Sequence, residues 1–416
     1  MAHADGGGRD KDAARGVDTA GDGAAKQPCE RTAANEQGAL ELVTLSTTCT
    51  ISSGDTAFSR MTTDGRYVVF ESDADDLVPN DLNGRNDVFL VDLETGQLEL
   101  ISKKYGAEVP SDGDSFLPVA SDDARYIAFT AYAFELTSPA PPTGGLWVYL
   151  RDRQAGTTRR FPADYACAYW VDMSGDAAFI VTQGFSNCAD SVQKDGDHDS
   201  TLEYDVQTGE YRYLGVTDDG GDNYRPAISR DGRFIVWAIR PPMTRGAMTS
   251  QLQVFDREMD TVETLPFYAF GYESTDISDD GNLIAFSQNG QVYRYQRDTA
   301  ELRLVSKNAS DESGNGSSTQ VSMSGDGRLL VFTSAATNLT EGDTNGSDDV
   351  LLFDSNSGTL ETISVAPDGS QADGDSRYPF ISGNGEKVSF ASKARNLLPL
   401  ADTGDYQLYV RTLNRR

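Results

Sequence analysis

The stretch Ser229-Arg230-Asp231-Gly232-Arg233-Phe234-Ile235-Val236-Trp237 joins a tight-turn dipeptide to a run of strand-forming residues. Asp-Gly accepts the positive φ angles of hairpin turns, and Phe, Ile, Val and Trp favour β-strands. A similar stretch occurs six more times along the chain. The residues that follow the turn position are Arg66, Arg125, Ala178, Arg233, Asn282, Arg328 and Glu386. The stretch is therefore one hairpin of a sevenfold repeat.

Each repeat of 46 to 59 residues contains four strand-like runs. The third run is clearest as Asp87–Asp92 and again as Asp349–Asp354, each followed by a turn and a fourth run at residues 98–102 and 360–364. Two repeats depart from the turn signature, with Asp123-Ala124 and Asp176-Ala177 in place of Asp-Gly. Four-stranded units in tandem are typical of β-propellers. The sequence predicts an all-β, seven-bladed β-propeller.

The two ends of the chain complement each other. The seventh repeat stops after its third run, at residues 407–410, and lacks a fourth. The run at residues 41–46 resembles the fourth strands of other repeats, so we predict that this N-terminal strand completes the last blade and closes the ring. Residues 1–38 are rich in Gly, Ala and Asp and are almost devoid of apolar side chains. We predict a disordered acidic leader over residues 1–38 and one propeller domain over residues 39–416.

The formal net charge of the chain is -30, with a pI near 4.3. Nucleic acid and anionic membrane surfaces would be repelled by such a charge, whereas cations and basic partners would be attracted. An acidic surface that only keeps the protein soluble is the alternative. No apolar run of about 18 residues is present, so the sequence predicts no membrane span.

Cysteine usage bears on the compartment. Cys29, Cys49, Cys167 and Cys188 form two locally spaced pairs, as expected of disulfides in an oxidising compartment. Ala2-His3-Ala4 has the small-x-small form of a signal-peptidase site. We therefore expect a periplasmic or extracellular protein, and reduced cysteines in a cytosolic protein are the alternative.

The repeats resemble those of the TolB-type propellers, which are built from PD40 (WD40-like) repeats. The resemblance is carried by the run from Pro226 to Trp237 and by the run from Asp87 to Gly96. These match the patterns P-x-x-S-x-D-G-R-x-[IV]-x-F and [IV]-[YF]-x-x-D-x-x-T-G, and the resemblance covers residues 40–413. It implies a propeller fold, and its members include periplasmic interaction modules, peptidase lids and secreted domains of other kinds.

Long loops are expected on one face of the propeller, which we call the long-loop face. Loops that join second to third strands emerge on that face, and the Asp-Gly turns lie on the opposite, short-loop face. The long loops cover residues 72–86, 131–145, 182–199, 240–250, 334–348 and 392–405. Because binding residues concentrate on long loops held by a rigid scaffold, we expect any site on the long-loop face.

Two long loops carry the motif D-x-N-G-x-x-D just before a third strand. Side-chain oxygens at alternate positions, a Gly at the bend and a final carboxylate suit a hard cation such as Ca²⁺. The motif resembles a shortened form of the Ca²⁺ loop in integrin-type FG-GAP propeller repeats. An Asx-rich turn bonded to backbone amides is the alternative. The candidate ligands are Asp81, Asn83, Asp87, Asp343, Asn345 and Asp349.

A second candidate site is the mouth of the central channel. An Asp lies ten residues before the turn position in four repeats, where the innermost strand begins. A partial ring of carboxylates there would favour a cationic or amine-bearing ligand, and an Asp that only caps its local turn is the alternative. The four residues are Asp55, Asp114, Asp222 and Asp375.

Catalytic motifs are scarce in this sequence. His3 and His198 are the only histidines, and G-x-S-x-G, H-E-x-x-H, a P-loop and paired C-x-x-C motifs are absent. We therefore expect a non-catalytic, monomeric scaffold that binds a protein or cell-surface ligand of cationic character. The alternative is a secreted enzyme, a lyase or hydrolase acting on glycans with acidic residues at the channel mouth.

Overall fold

The computed structural model consists of seven four-stranded antiparallel sheets and contains no helix in the described residues. It describes residues 38–141, 145–161, 168–184, 200–214, 222–240, 251–266, 272–399 and 404–413. The strands are β1 (Leu40–Leu42), β2 (Thr56–Met61), β3 (Tyr67–Ser72), β4 (Asp87–Asp92), β5 (Leu98–Leu100), β6 (Ser115–Ala120), β7 (Tyr126–Ala131), β8 (Trp147–Asp152), β9 (Thr157–Phe161), β10 (Ala168–Met173), β11 (Phe179–Gly184), β12 (Ser200–Asp205), β13 (Tyr211–Leu214), β14 (Asp222–Ile228), β15 (Phe234–Arg240), β16 (Gln251–Asp256), β17 (Thr261–Thr264), β18 (Tyr272–Ile277), β19 (Leu283–Gln288), β20 (Gln291–Gln296), β21 (Glu301–Leu304), β22 (Ser318–Met323), β23 (Leu329–Ser334), β24 (Asp349–Asp354), β25 (Thr359–Thr362), β26 (Ser376–Ile381), β27 (Lys387–Ser392) and β28 (Gln407–Thr412).

The seven sheets are the blades of a propeller. Blade 1 is β2–β5, and blades 2 to 6 follow in steps of four strands up to β25. Within each blade the strands pair in chain order, and the first strands of successive blades are neighbours around the centre. The prediction of a seven-bladed all-β propeller is confirmed.

Blade 7 is closed by the two ends of the chain. Strand β1 pairs antiparallel with β28, in a register that places Leu40 opposite Arg411 and Leu42 opposite Tyr409. Both leucines are buried. Thr44 adds a side-chain hydrogen bond from its Oγ1 to Gln407 Oε1 at 2.6 Å. The N-terminal strand thus completes the last blade, as the sequence predicted.

The Asp side chain of the turn signature accepts the hydrogen bonds that hold the turn together. Ser229 Oγ and the backbone N–H of Arg233 both donate to Asp231 Oδ1, at 2.6 and 2.9 Å. Gly232 has a φ of +75°, which glycine adopts without a Cβ penalty. In the two divergent repeats Ala124 and Ala177 adopt φ angles of +52° and +57° at the same position. The turn geometry is therefore kept where the glycine is lost.

The hydrophobic core lies within and between blades. Four blades stack a second-strand aromatic ring on a third-strand ring, with centroids 5.6 to 5.8 Å apart. Such offset stacks bury large apolar area and add stabilisation beyond the area itself. The pairs are Phe70–Phe89, Phe129–Tyr149, Phe286–Tyr293 and Phe390–Tyr409. No helix in the described residues is long and apolar enough to cross a membrane.

Candidate functional site

The central channel is constricted at the short-loop face by one residue from each turn that follows a first strand. These residues lie two positions before the turn glycine, or before the alanine that replaces it. Most of them are joined between blades by backbone hydrogen bonds of 2.7 to 2.9 Å. The seven are Thr63, Asp122, Gly175, Arg230, Asp279, Gly325 and Gly383.

Side chains fill this constriction. Thr63 Oγ1 donates to Asp122 Oδ1 at 2.5 Å, and the Arg230 guanidinium donates to the same oxygen. The glycines leave room for these groups: a Cβ at Gly175 would overlap the Asp122 carboxylate, and one at Gly325 would overlap the Asp279 carboxylate. The channel therefore narrows to a polar plug at its short-loop end.

A charged layer lies above the plug. The Arg60 guanidinium lies 3.7 Å from Asp172 Oδ1 and packs over the Phe380 ring, 5.2 Å from its centroid. Asp276 accepts hydrogen bonds from the backbone N–H groups of Ile277 and Met323, at 2.9 and 2.8 Å. Burial raises the pKa of Asp276 to about 6, and the nearby Arg60 partly opposes this rise.

An aromatic collar surrounds the channel above the charged layer. The ring of Phe58 contacts the ring of Tyr378 at a centroid distance of 4.6 Å and the ring of Trp170 at 6.2 Å. Arg225 stacks on Trp170 with its guanidinium 5.3 Å from the ring. These residues line a half-open cavity that also contacts Arg60 and Asp276. We call it the collar cavity.

The predicted mouth carboxylates contact neighbouring blades. Asp55 accepts a hydrogen bond from the Tyr406 N–H at 2.7 Å, and Asp114 accepts one from the Asn86 N–H at 3.1 Å. Asp375 accepts one from the Asp348 N–H at 3.1 Å in the same way. Each donor immediately precedes a third strand of another blade. These three carboxylates therefore join adjacent blades.

Cationic side chains accompany the same three carboxylates. Arg85 lies 3.5 Å from Asp114, and Lys393 lies 3.9 Å from Asp55. Arg377 lies 3.1 Å from Asp375 and also pairs with Asp348 at 2.6 Å. The described part of the mouth is therefore a set of ion pairs. Asp222 begins β14, but its side chain lies outside the described residues.

The first D-x-N-G-x-x-D loop is organised by its asparagine. Asn83 Nδ2 donates to Asp87 Oδ2 at 2.8 Å and to the Ser111 carbonyl at 3.0 Å. Asn83 Oδ1 accepts the Arg85 N–H at 2.8 Å, and Ser102 Oγ donates to Asp87 Oδ1 at 2.5 Å. Burial raises the pKa of Asp87 to about 7 and that of Asp81 to about 6. Two buried carboxylates thus lie beneath one loop.

The second loop repeats this arrangement. Asn345 Nδ2 donates to Asp349 Oδ2 at 3.3 Å and to the Ala372 carbonyl at 3.0 Å, and Ser364 Oγ donates to Asp349 Oδ1 at 2.8 Å. Burial raises the pKa of Asp349 to about 6, with a further rise from the Asp343 carboxylate. Both loops thus hold the predicted residues together.

Blades 5 and 7 replace the aspartate of this network by a glutamine. Gln291 Oε1 accepts the Ser306 hydroxyl at 2.6 Å, while its Nε2 donates to the Gly314 carbonyl at 3.1 Å. Gln407 likewise bonds Thr44 through Oε1 and the Ser52 carbonyl through Nε2. A single neutral side chain therefore makes the contacts that an Asp and an Asn share in blades 1 and 6.

The oxygen atoms of the two loops can be compared with the ligands that Ca²⁺ requires. Carboxylate and amide oxygens are ligands that hard cations prefer, and Asp343 Oδ1 is buried without a hydrogen-bond partner in the described residues. Each candidate ligand set includes two carboxylates, and no cluster of three or more His, Cys, Asp or Glu side chains that could hold a metal occurs in the described parts of the chain. A cation would therefore need amide or backbone oxygens to complete its coordination.

Most of the residues behind the disulfide and leader predictions lie outside the described part of the chain. Cys49 is described and lies in an exposed turn with a φ of +61°. The other cysteines, both histidines and residues 1–37 of the predicted leader lie outside the described residues. The predicted disulfide pairs and the leader stay predictions.

Comparisons with known proteins identify the fold. No family model matches the sequence, and no curated protein matches it. The structure resembles an oligogalacturonate lyase in complex with manganese, with a TM-score of 0.56, 14% identity and coverage of 93% of this chain and 97% of that chain. A prolyl endopeptidase matches with a TM-score of 0.56 at 10% identity, covering 88% of this chain and 51% of that chain.

TolB from Acinetobacter baumannii is also similar, with a TM-score of 0.45 and 17% identity over 79% of this chain and 66% of that chain. The chain thus spans about half of the endopeptidase and two thirds of TolB. These likenesses show a fold in common with known propellers. The chain is a seven-bladed β-propeller, and it shares this fold with the lyase and the endopeptidase.

An exposed apolar patch on the long-loop face was not anticipated from the sequence. Leu82 is 88% exposed, Tyr105 61%, Tyr132 52% and Phe134 41%. The Tyr105 N–H donates to the carbonyl of Glu135, next to Phe134, at 2.7 Å, so two of the rings come from adjoining segments of chain. We call these four residues the loop-face patch. They lie in blade 1, in blade 2 and in the loop between them, at positions that do not correspond between repeats, so the repeat pattern did not reveal them.

Proposed function

We propose that this propeller is a non-catalytic, exported scaffold that binds a protein or cell-surface ligand through its long-loop face. Tyr105 and Phe134, which are exposed on adjoining segments of the chain, carry this proposal, because exposed aromatic side chains are enriched at interaction surfaces. Their position on loops held by a rigid ring supports it. The short-loop face has tight turns in place of such loops.

The charge of the chain supports a cationic partner. The formal net charge is -30, and carboxylates adjoin the loop-face patch at Glu135, Asp112 and Asp114. Aromatic faces beside carboxylates attract Lys and Arg side chains through both cation–π and ionic contacts. We propose a monomer that meets a basic partner in the periplasm or outside the cell. The two cysteine pairs would form disulfides there.

Binding is favoured over catalysis by the state of the mouth carboxylates. Acid and base groups of a glycan lyase or hydrolase must be able to reach substrate. Asp55, Asp114 and Asp375 instead hold backbone N–H groups of neighbouring blades and lie beside cationic side chains. To act as a catalytic acid or base, these carboxylates would have to give up the hydrogen bonds that join adjacent blades.

The proposal is tested by a matched pair of double variants. Tyr105→Ser with Phe134→Ser removes the centre of the loop-face patch. Met259→Ser with Val262→Ser changes side chains that are 66% and 49% exposed on the outer edge of blade 4. The partner is first identified among the exported proteins of the source cells by cross-linking at the long-loop face. We expect its affinity to fall at least tenfold for the first variant and to stay unchanged for the second. Equal affinity of both variants would remove the proposal.

We further propose that Ca²⁺ orders the two D-x-N-G-x-x-D loops. Asp81, Asp87 and the Asn83 side chain would hold it in the first loop, and Asp343, Asp349 and Asn345 in the second. A bound cation would supply the positive charge that two buried carboxylates lack.

A titration tests this metal proposal. We expect calorimetric heat on adding Ca²⁺ to metal-free protein and a melting temperature that rises with Ca²⁺ concentration. Asp81→Asn with Asp343→Asn should abolish both effects, whereas Asp64→Asn, in a short turn, should preserve them. Absence of heat and of any shift in melting temperature in the wild type would exclude the metal.

A further inference from the structure

The central channel is a socket that ends at the short-loop face. The seven residues of the plug are Thr63, Asp122, Gly175, Arg230, Asp279, Gly325 and Gly383, and Asp122 accepts hydrogen bonds from both Thr63 and Arg230. The collar cavity lies above this plug and faces the mouth. An extended chain cannot pass such a plug, so a ligand that enters from the long-loop face must present an end.

Unused hydrogen-bond donors lie at the bottom of the collar cavity. Arg60 has five N–H donors. In the described residues its only ionic partner is Asp172 at 3.7 Å, and it makes no hydrogen bond within 3.5 Å, while a quarter of its side chain is exposed to the channel. Gln320 uses its Oε1 to accept from Tyr378 N–H and from Thr333. Its amide Nε2 donates to no described group.

The acceptors beside these donors are already engaged. Both oxygens of Asp276 accept backbone N–H groups, and Asp172 Oδ2 accepts the Ile228 N–H at 3.1 Å. The collar cavity is lined by Arg60, Arg225 and Asp276, and Asp172 pairs with Arg60 from the charged layer. The unused N–H groups of Arg60 and Gln320 give the cavity more hydrogen-bond donors than free acceptors. These donors match an acceptor group such as a carboxylate.

The wall above the donors is apolar and aromatic. Phe58, Tyr378 and Trp170 form a continuous set of rings on one side, and Phe380 lies beneath. Such a wall accommodates an apolar side chain next to the charged group.

We infer that the channel is a socket for the C-terminal carboxylate of an extended peptide whose last side chain is apolar or aromatic. Arg60 and Gln320 would donate to the carboxylate, and the rings of Phe58, Trp170 and Tyr378 would contact the last side chain. The inference rests on the proposed function, since the peptide would belong to the partner at the long-loop face. Arg60 lies five residues from Asp55 at the mouth, a distance of about 16 Å that four to five extended residues span.

The probe is the acetylated pentapeptide Gly-Ser-Gly-Ser-Phe with a free carboxylate, compared with the same peptide as its C-terminal amide. Trp170 reports binding by fluorescence, because the other two tryptophans, Trp147 and Trp237, are buried in the blades. We expect the amide to bind roughly ten- to a hundredfold more weakly, the range for losing a hydrogen-bonded charge. This comparison uses the wild-type chain and is independent of the folding of any variant.

Two substitutions assign the effect to Arg60. Arg60→Gln should bring the carboxylate and amide peptides to equal affinity, and Arg60→Lys should restore part of the difference, since lysine keeps the charge but loses the planar fork. Arg328→Gln is the matched control, because Arg328 pairs with Asp354 at the short-loop face, away from the cavity. It should leave both affinities unchanged.

Each outcome decides the inference. Equal affinity of the two peptides for the wild type, or an unchanged ratio in Arg60→Gln, overturns it. Phenylpropionate binding as tightly as the pentapeptide also overturns it, because the source of the carboxylate would then be a small molecule. A partner that requires Tyr105 and Phe134 but binds Arg60→Gln normally would leave the proposed scaffold standing without the socket.

Discussion

A chain with both Leu40→Ala and Leu42→Ala is expected to melt about 5–13 °C below the wild type. Both side chains lie in β1, are 4% exposed and pack in the core of blade 7 with Tyr409 and Ile363. Truncating a buried leucine to alanine costs about 2–5 kcal/mol, so the pair should lose about 4–10 kcal/mol. Each kcal/mol shifts the melting temperature of a domain of 150–250 residues by about 2–4 °C, and less for a longer chain.

The reason for so large an effect is the place of β1 in the ring. Strand β1 supplies the fourth strand of blade 7 through its pairing with β28, and loss of β1 exposes an unpaired edge. Deleting residues 39–46 should therefore be more damaging than the double substitution.

The matched control for ring closure is Val262→Ala with Leu302→Ala. These residues occupy outer strands of blades 4 and 5 but are 49% and 44% exposed. We expect their melting temperature to stay within about 2 °C of the wild type, since surface substitutions cost little. Equal melting temperatures for the wild type and the β1 variant by differential scanning calorimetry would contradict closure by this strand.

The fold was predictable because its signal is local and repeated. The Ser229 to Trp237 stretch contains a whole hairpin, and the Asp231 side chain organises the turn through residues only two positions away. Ring closure was predictable as well, because an unpaired fourth strand at one end matched a missing one at the other. Where Ala124 replaces the turn glycine, the flanking strands still fix the same positive φ.

The candidate site was only partly predictable, because its contacts cross between blades. The sequence placed Asp55 and Asp375 at the mouth, but their bonding partners are backbone N–H groups of other blades, which leave no residue pattern. The charged layer was missed for a related reason. Arg60, Asp172 and Asp276 occupy the same position of their repeats, yet the residue type at this position is not constant among the blades. The repeat pattern reveals residues that recur in every blade, whereas the charged layer is formed by residues that are not shared by all blades.

The wild-type protein in a metal-free buffer is expected to lose stability as the pH rises from 5 to 8. Burial raises the pKa of Asp87 to about 7 and that of Asp349 to about 6, whereas an unfolded aspartate titrates near 4. The folded state then binds more protons than the unfolded state in this interval, so the free energy of unfolding falls as the pH increases. The loss begins above pH 4 and is complete once the pH exceeds the folded pKa.

Asp87→Asn isolates the largest of these contributions. The folded pKa of about 7 lies two units above pH 5, and each unit corresponds to about 1.4 kcal/mol, so the change in unfolding free energy between pH 5 and pH 8 should shrink by about 2–3 kcal/mol in the variant. A neutral amide is compatible with this position, because Gln291 and Gln407 make the equivalent contacts in blades 5 and 7. Urea unfolding at pH 5, 6, 7 and 8 with a chelator present measures the change.

Asp152→Asn is the control, because the pKa of Asp152 is lowered in the folded state whereas that of Asp87 is raised. The Arg125 guanidinium holds the pKa of Asp152 down at about 2, so its contribution is present above pH 4 and is lost as the pH falls towards 2. This variant should keep the wild-type slope between pH 5 and 8, because Asp152 does not titrate there in either state. A slope that is the same in Asp87→Asn and the wild type would mean that Asp87 is ionised in the folded state throughout this pH interval, which contradicts the prediction.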